Sequence, residues 1–212
     1  MAIANQLGYG DLPALMTRLT GDEKHDSSSV STLDVLWVLY DRVLEDDDRF
    51  LLSKGHGPTA YYAVLAAKGI IPLELLDGFG TFDSPLGHHP DRTLVPGVEI
   101  GSGSLGHGLS IAVGRALAGR RVFVLVGDGE LDEGSNWEAV QYAGRAGLEN
   151  LTVVVIDNKS STHGWPGGIE ARFALEGWHA VRVDGRDHAA LEAAFGTRVA
   201  HQPRCIVAEV GP

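Results

Sequence analysis

Hydrophobic residues recur at helical spacing in the first third of the chain. Between Leu33 and Leu44, apolar side chains stand at positions 33, 36, 37, 40, 43 and 44, which is one face of a helix. The stretch from Tyr61 to Ala67 is similar. Both segments are predicted to be packing helices.

After Arg121 the pattern changes to short apolar runs rich in β-branched residues: Val122–Val126, Leu151–Ile156, Ala180–Val183 and Cys205–Val210. Such runs suit parallel strands that are covered on both faces. Helical patterns at 135–146 and 187–195 separate them, the second opened by Asp187 as an N-cap. This alternation predicts an α/β fold, with an open, mostly parallel sheet flanked by helices, and a single domain over residues 1–212.

Composition narrows the functional classes. The chain is 44% hydrophobic and 21% charged, with a formal net charge of -11, so nucleic acid and anionic membranes are not expected partners. Any bound phosphate must therefore be held by local donors. The one cysteine, Cys205, lies in an apolar run and is expected to be a buried thiol. The sequence shows no signal peptide or spanning segment, so a cytoplasmic location is expected.

Two of the predicted strands end in polar residues. Asp128 follows the first, between Gly127 and Gly129, and Asn158 follows the second. Carboxylate and amide oxygens suit Mg²⁺ or Ca²⁺, and glycines let a backbone approach a diphosphate closely. Alone, Gly127-Asp128-Gly129 is also compatible with a tight turn and a capping aspartate. The pairing with Asn158 favours a metal site.

The segment that follows the first of these strands reads Gly127-Asp128-Gly129-Glu130-Leu131-Asp132-Glu133-Gly134-Ser135-Asn136-Trp137-Glu138-Ala139. Together with Asn158 downstream, it resembles the thiamine diphosphate motif of the transketolase family. Four further segments follow the family's order and approximate spacing: Ser53-Lys54-Gly55-His56-Gly57, His89-Pro90-Asp91, Pro96-Gly97-Val98-Glu99 and Gly103-Ser104-Leu105-Gly106-His107-Gly108-Leu109-Ser110. The similarity runs from about Asp22 to Val210 and matches the first domain of a full-length transketolase. It implies a thiamine diphosphate-binding fold.

The resemblance also implies site residues. Metal binding falls to Asp128, Asn158 and the main-chain carbonyl of Ser160. Catalytic contacts to cofactor or donor sugar fall to His25, His56 and His89. The remaining cofactor-binding positions are Gly103, Leu105, Gly127, Gly129 and Glu133, and Glu133 and Glu138 match acidic residues near the family's subunit interface.

Several positions depart from the family pattern. Asp26-Ser27-Ser28-Ser29 replaces the usual Pro-Gly-Gly-Ser after the first histidine, so a solvated loop stays open for His25. His88 is the alternative to His89 for the predicted catalytic contact. His107 stands where the family more often has glutamine, and its position is as compatible with a structural role at a helix terminus as with contact to a ligand. Ser160 and Thr162 replace apolar residues that shield the thiazolium, which puts the details of cofactor packing in doubt.

The family's proton-transfer glutamate belongs to a second domain, and the sequence stops at Gly211-Pro212. The expectation is a split transketolase subunit, active only with a C-terminal subunit that carries the pyrimidine-binding domain, in a heterotetramer of two chains of each kind. It would transfer a two-carbon ketol unit from a ketose to an aldehyde. The alternatives are another thiamine diphosphate-dependent carboligase, using a 2-oxo acid or diketone donor, and a non-catalytic module that retains the fold.

Overall fold

The computed structural model describes residues 7–211. Five strands form one parallel sheet in the order β1-β2-β3-β5-β4. The strands are β1 (Arg49–Leu52), β2 (Val122–Gly127), β3 (Leu151–Asp157), β4 (His179–Asp184) and β5 (Arg204–Glu209). The sheet confirms the predicted α/β class.

Within residues 7–211, eight α-helices connect and cover the strands. They are α1 (Leu12–Met16), α2 (Asp26–Val30), α3 (Leu33–Val38), α4 (Thr59–Ala67), α5 (Gly108–Leu117), α6 (Gly134–Ala146), α7 (Ile169–Leu175) and α8 (His188–Gly196). Short 3₁₀ turns lie at Tyr9–Asp11, Glu23–His25, Leu73–Gly78 and Gly129–Asp132. None of the helices in residues 7–211 combines the length and apolar character needed to cross a membrane.

Alternating side chains divide the core into two layers. In β2, Phe123 and Leu125 pack on one face with α1, α3, α4 and α8. Val122, Val124 and Val126 pack on the other with α5, α6 and α7. Because successive strand residues point to opposite faces, a run that is apolar throughout serves both layers at once.

The structure confirms most predicted elements. All four predicted strands are present with ends shifted by about one residue, and α4, α6 and α8 cover the predicted helices. The Asp187 carboxylate accepts hydrogen bonds from the amides of Ala189 and Ala190, as expected of an N-cap. Cys205 is fully buried, and burial raises the pKa of its thiol.

Three features differ from the prediction. The helix expected over 33–44 is α-helical only to Val38 and continues as a π-helical turn, Leu39–Val43, which the Leu44 amide closes on the Leu39 carbonyl. Strand β1 was not predicted. The run 180–183 was expected to be covered on both faces, but β4 is an edge strand whose residues are only half-buried.

Candidate cofactor and metal site

The carboxyl ends of β2 and β3 bring Asp128 and Asn158 together. The strands pair in parallel with Gly127 opposite Ile156, so the residues that follow them emerge at the same sheet edge. Asp128 is buried, and its Oδ1 accepts hydrogen bonds from the Gly129 amide at 2.9 Å and the Ser160 hydroxyl at 2.6 Å. Its Oδ2 accepts one from the Ser161 amide at 3.2 Å. These donors fix the carboxylate in one orientation.

Asn158 presents an unpaired acceptor at this edge. Its Oδ1 is buried and has no hydrogen-bond partner among residues 7–211. Buried polar atoms are normally paired, so an orphaned amide oxygen beside a carboxylate marks a position for a ligand. Residues 7–211 contain no cluster of three or more acidic, histidine or cysteine side chains that would ligate a metal by themselves. The donor set fits an oxygen-liganded cation that takes its remaining ligands from phosphate and water.

A backbone reversal after Asn158 returns the chain over Asp128. Lys159 adopts a positive φ of 63°, a conformation that costs a non-glycine residue about 1–2 kcal/mol. The Lys159 ammonium forms ion pairs with Asp157 at 2.9 Å and Glu209 at 3.0 Å, which offset part of this conformational cost. A Cβ added at Gly129 would meet the Ser160 Oγ at 3.1 Å, so glycine permits this close approach.

A cavity of about 250 Å³ lies beside these residues. The predicted site residues His56, Leu105, Gly127, Gly129, Asn158 and Ser160 line it. Asp128 lines an adjoining cavity. The structure thus brings together most of the predicted cofactor and metal positions.

Lys54 is a buried cation in the wall of this cavity, and sequence analysis did not single it out. It is 2% exposed, and its ammonium donates to the Ser28 carbonyl and hydroxyl, both at 2.8 Å. Burial lowers the pKa of Lys54 to about 8, opposed by the charges of Glu130 and Asp128. In a chain of net charge -11, Lys54 is a local donor of the kind that a bound phosphate requires.

Glu130 is a second residue that sequence analysis missed. Its Oε1 accepts hydrogen bonds from the Ser53 hydroxyl at 2.5 Å and the Gly106 amide at 2.9 Å, while Oε2 is buried and unpaired among residues 7–211. Burial raises the pKa of this carboxyl. Glu130 therefore fixes the loop before α5 to the end of β1.

Glycines make this junction possible. A Cβ at Gly108 would lie 2.3 Å from the Ser53 Oγ, and one at Gly55 would lie 2.6 Å from the Ser102 Oγ. Gly103 has a positive φ of 141°, and its added Cβ would meet the His89 ring at 3.2 Å. The predicted positions Gly103 and His89 are thus neighbours.

The three predicted histidines lie close to one another. The rings of His25 and His56 are 5.7 Å apart, and the His25 Nδ1 is 2.7 Å from the buried carboxylate of Asp22. Burial lowers the pKa of His56 to about 4, reinforced by Lys54, His25 and His89. His56 is therefore a neutral imidazole near pH 7. His25 and His89 remain predicted contacts.

His88 and His107 occupy different settings. The Nδ1 of His88 is 3.7 Å from Asp22, and its ring packs edge-on against Phe79. His107 is the exposed N-cap residue of α5 and makes no capping hydrogen bond with its side chain. Neither arrangement tests the preference for His89 over His88.

Glu133 and Glu138 are exposed in the single chain. Glu133 is the N-cap residue of α6, again without a capping side-chain hydrogen bond. Its predicted cofactor contact, and the interface role of both acids, stay predictions.

The polar residues that replace the apolar shield have partners in the chain. Asp132 accepts hydrogen bonds from the Ser161 hydroxyl at 2.7 Å and from the amide and hydroxyl of Thr162, each at 2.9 Å. Ser160 bonds to Asp128. The segment 160–162 is therefore fastened to the end of β2 and the turn that follows it.

Comparison with known proteins identifies the family. Residues 39–210 match the family described as "Transketolase, thiamine diphosphate binding domain". This chain belongs to the transketolase family. His25 lies outside the matched residues, and its assignment stays a prediction that its position beside His56 and Asp22 is compatible with.

Individual relatives and a solved structure extend the comparison. The chain is 54% identical to "Ferredoxin fas2" of Rhodococcoides fascians, covering 97% of this chain and 73% of that protein. It is 38% identical to "6-deoxy-6-sulfo-D-fructose transketolase subunit SqwG" of Clostridium sp. (strain MSTE9), covering 77% of this chain and 67% of the relative. The solved "Transketolase from Leishmania mexicana" superposes with a TM-score of 0.79 at 26% identity, covering 96% of this chain and 36% of that one.

The name of the first relative does not describe these residues. Iron–sulfur clusters of ferredoxins are held by several cysteine thiolates. The sequence contains one cysteine, Cys205, and it is buried in β5.

Proposed function

We propose that this chain is the diphosphate- and metal-binding subunit of a two-chain transketolase. In this proposal it transfers a two-carbon ketol unit from a ketose or ketose phosphate to an aldehyde, together with a subunit that carries the pyrimidine-binding domain. The relative whose name calls it a transketolase subunit supports a division between two chains. The chain spans 67% of that relative and 36% of the solved transketolase.

One observation carries the proposal: the Asn158 Oδ1, which has no partner in the described part of the chain, lies at the strand edge where three donors fix Asp128. In the proposal, these two side chains and the Ser160 carbonyl hold Mg²⁺ or Ca²⁺. The Lys54 ammonium and the backbone at Gly129 lie where they can meet diphosphate oxygens. The metal and the ammonium offset the phosphate charge within an acidic protein.

The histidines serve the donor substrate in this proposal. A neutral His56 can both donate and accept a hydrogen bond, as required for contact with hydroxyl groups and for moving a proton. His25 is oriented by Asp22, in the manner of a base held by a carboxylate. Thiamine diphosphate, when bound, supplies the electron sink for cleavage of the carbon–carbon bond. The protein positions the reactants and limits access of water.

The proposed assembly divides the site between two kinds of chain. We propose a heterotetramer of two chains of each kind, located in the cytoplasm, with the exposed Glu133 and Glu138 near the interface between subunits. The carboligase alternative was motivated in part by the departures from the family pattern at residues 160–165, which include the polar residues at 160–162. Because these bond to Asp128 and Asp132 within the chain, they have a structural role that calls for no different donor.

Reconstitution tests the proposal. The purified chain is assayed with xylulose 5-phosphate and ribose 5-phosphate, with thiamine diphosphate and Mg²⁺, in the presence and absence of the candidate partner. Transfer should require both chains and the cofactor. Full activity of this chain alone would reject the two-chain assignment, and turnover of a 2-oxo acid with no ketol transfer would favour the carboligase.

A further inference from the structure

A second cavity lies at the amino ends of the strands, on the side of the sheet away from the candidate cofactor site. Its volume is about 330 Å³, within the range of about 300–1,000 Å³ for small-molecule sites. Its polar lining consists of Arg121, Glu149, Asn150, Thr152, Arg198 and Arg204. Strand β3 separates the two sites by roughly 20 Å, at about 3.3 Å per residue.

Arg204 is the buried charged residue of this lining. It is 4% exposed, and its Nη1 donates to the carbonyls of Ala194, at 3.3 Å, and Phe195. Burial, followed by the charges of Arg198 and Arg121, lowers the pKa of Arg204 to about 10, and no carboxylate in residues 7–211 opposes these effects. Arg204 is thus a buried cation near pH 7 without a counterion.

The other two arginines add to the positive charge. Arg198 is exposed and forms no ion pair within 4.0 Å among residues 7–211, whereas Arg121 pairs with Asp48 at 3.0 Å and Glu45 at 3.3 Å. The one acidic residue named in the cavity lining, Glu149, accepts a hydrogen bond from the His201 amide at its Oε2. The positive charges of the arginines that line this cavity therefore outnumber the carboxylates paired with them, although the chain as a whole has a formal net charge of -11.

We propose that this cavity binds a small multivalent oxyanion, either inorganic phosphate or the phosphate group of a phosphorylated sugar. The guanidinium groups of Arg198 and Arg204 contact it, and Arg121 completes the positive wall. Guanidinium groups bind phosphate through paired N–H donors, and an oxyanion supplies the counterion that Arg204 lacks. Its lining shares no residue with the cofactor cavity, so this is a binding site separate from the reaction site.

A purely structural role for Arg204 gives a different expectation. Its bonds to Ala194 and Phe195 cap the end of α8, which alone is a reason for an arginine there. Capping requires nothing of Arg198. The exposed Arg198 therefore separates the two roles, because its replacement leaves the helix cap intact.

The test uses the full chain saturated with thiamine diphosphate and Mg²⁺, so that the diphosphate site is filled. Inorganic phosphate is titrated by calorimetry, with chloride keeping the ionic strength constant, and nuclear magnetic resonance follows the amides of Thr152, Val199 and Ala200. One saturable site is expected, with shifts at these amides. Arg198→Met should weaken phosphate binding at least tenfold without changing the melting temperature.

The matched control is Arg18→Met, which removes the same charge from an exposed arginine paired with Asp77. It should leave phosphate affinity unchanged. A parallel titration with ribose 5-phosphate, followed by the shifts of the Thr152, Val199 and Ala200 amides because this sugar is also the proposed acceptor, distinguishes the two sources. If a phosphorylated sugar is the ligand, these shifts should saturate at a lower concentration than with inorganic phosphate. Absence of saturable binding, or equal affinity in wild type and Arg198→Met, would overturn the proposal.

Discussion

The Ser160 hydroxyl donates a 2.6 Å hydrogen bond to Asp128 Oδ1, joining the end of β2 to the loop after β3. This bond fixes the Asp128 carboxylate and holds residue 160 beside it. Positioning groups of this kind commonly change metal affinity by about 10–100-fold. The polar replacement at residue 160 therefore contributes to the proposed metal site.

Removal of this bond should weaken metal binding without abolishing it. In Ser160→Ala, Mg²⁺ affinity measured in the presence of thiamine diphosphate should fall about tenfold, whereas Asp128→Ala should eliminate metal-dependent cofactor binding. Calorimetry gives both values, and Asp77→Ala is the control for loss of an exposed carboxylate. Equal losses in Ser160→Ala and Asp77→Ala would show that the hydroxyl has no role at the metal.

Diphosphate binding should draw a proton onto Lys54. The pKa of Lys54 is about 8 in the free chain, so roughly half of these side chains are neutral at pH 8. A neighbouring diphosphate favours the charged form, which predicts uptake of up to about half a proton per site at pH 8 and almost none at pH 6. Calorimetry in buffers of different ionisation enthalpy measures this uptake.

Lys54→Met is the matched variant. It should abolish the proton uptake and weaken thiamine diphosphate more than thiamine, because thiamine lacks the phosphates. Proton uptake that persists in Lys54→Met would assign it to another group.

His56 should make the free chain less stable in mild acid. Its pKa is about 4 when folded, against an ordinary value of 6.5, so the unfolded chain binds more protons between these values. Stability therefore falls as pH drops from 6.5 toward 4, by an amount on the order of 1–2 kcal/mol after allowance for partial solvent access.

Urea unfolding of wild type and His56→Gln at several pH values between 4.5 and 7 measures this effect. As the pH falls from 6.5 toward 4.5, the free energy of unfolding of wild type should decrease relative to that of His56→Gln. A constant difference would mean that His56 has an ordinary pKa in the folded chain.

Two glycines of α5 should respond oppositely to alanine. A Cβ at Gly108 would lie 2.3 Å from the Ser53 Oγ, whereas Gly114 has nothing within 4 Å. Gly108→Ala should lower the free energy of unfolding by at least about 2 kcal/mol, through displacement of Ser53 and its bond to Glu130. Gly114→Ala should raise it by up to about 1 kcal/mol, from helix propensity alone. Urea denaturation compares them, and a neutral Gly108→Ala would show that the loop adapts.

The sequence was sufficient for elements whose pattern is local. The strands β2, β3 and β5 are apolar throughout because both faces are covered, and Asp187 caps α8 as its position predicted. Strand β1 has only four residues after an acidic stretch, which is too short a run to show periodicity. The edge position of β4 depends on the order of strands, which the local pattern does not contain.

The site divides in the same way. Asp128 and Asn158 follow strands directly, so their meeting at one edge could be anticipated from the sequence. Lys54 and Glu130 could not, because each resembles an ordinary polar loop residue. Their burial depends on contacts such as Ser53 with Glu130, which are 77 positions apart.

The proposed oxygen donors all come from one unbroken β–α–β stretch, between residues 122 and 160, at the centre of the sheet. The outer strands β1 and β4 contribute none of them. During divergence of related sequences, substitutions in β4 can accumulate without altering the donors, whereas those in β1 act through its pairing with β2 and through Ser53 and Lys54, which follow it. Substitutions between residues 122 and 160 alter the segment that carries the donors directly. Variation among relatives should therefore be greatest toward the β4 edge, and a transplant of residues 122–160 should transfer the oxygen donor set intact to another member of the family.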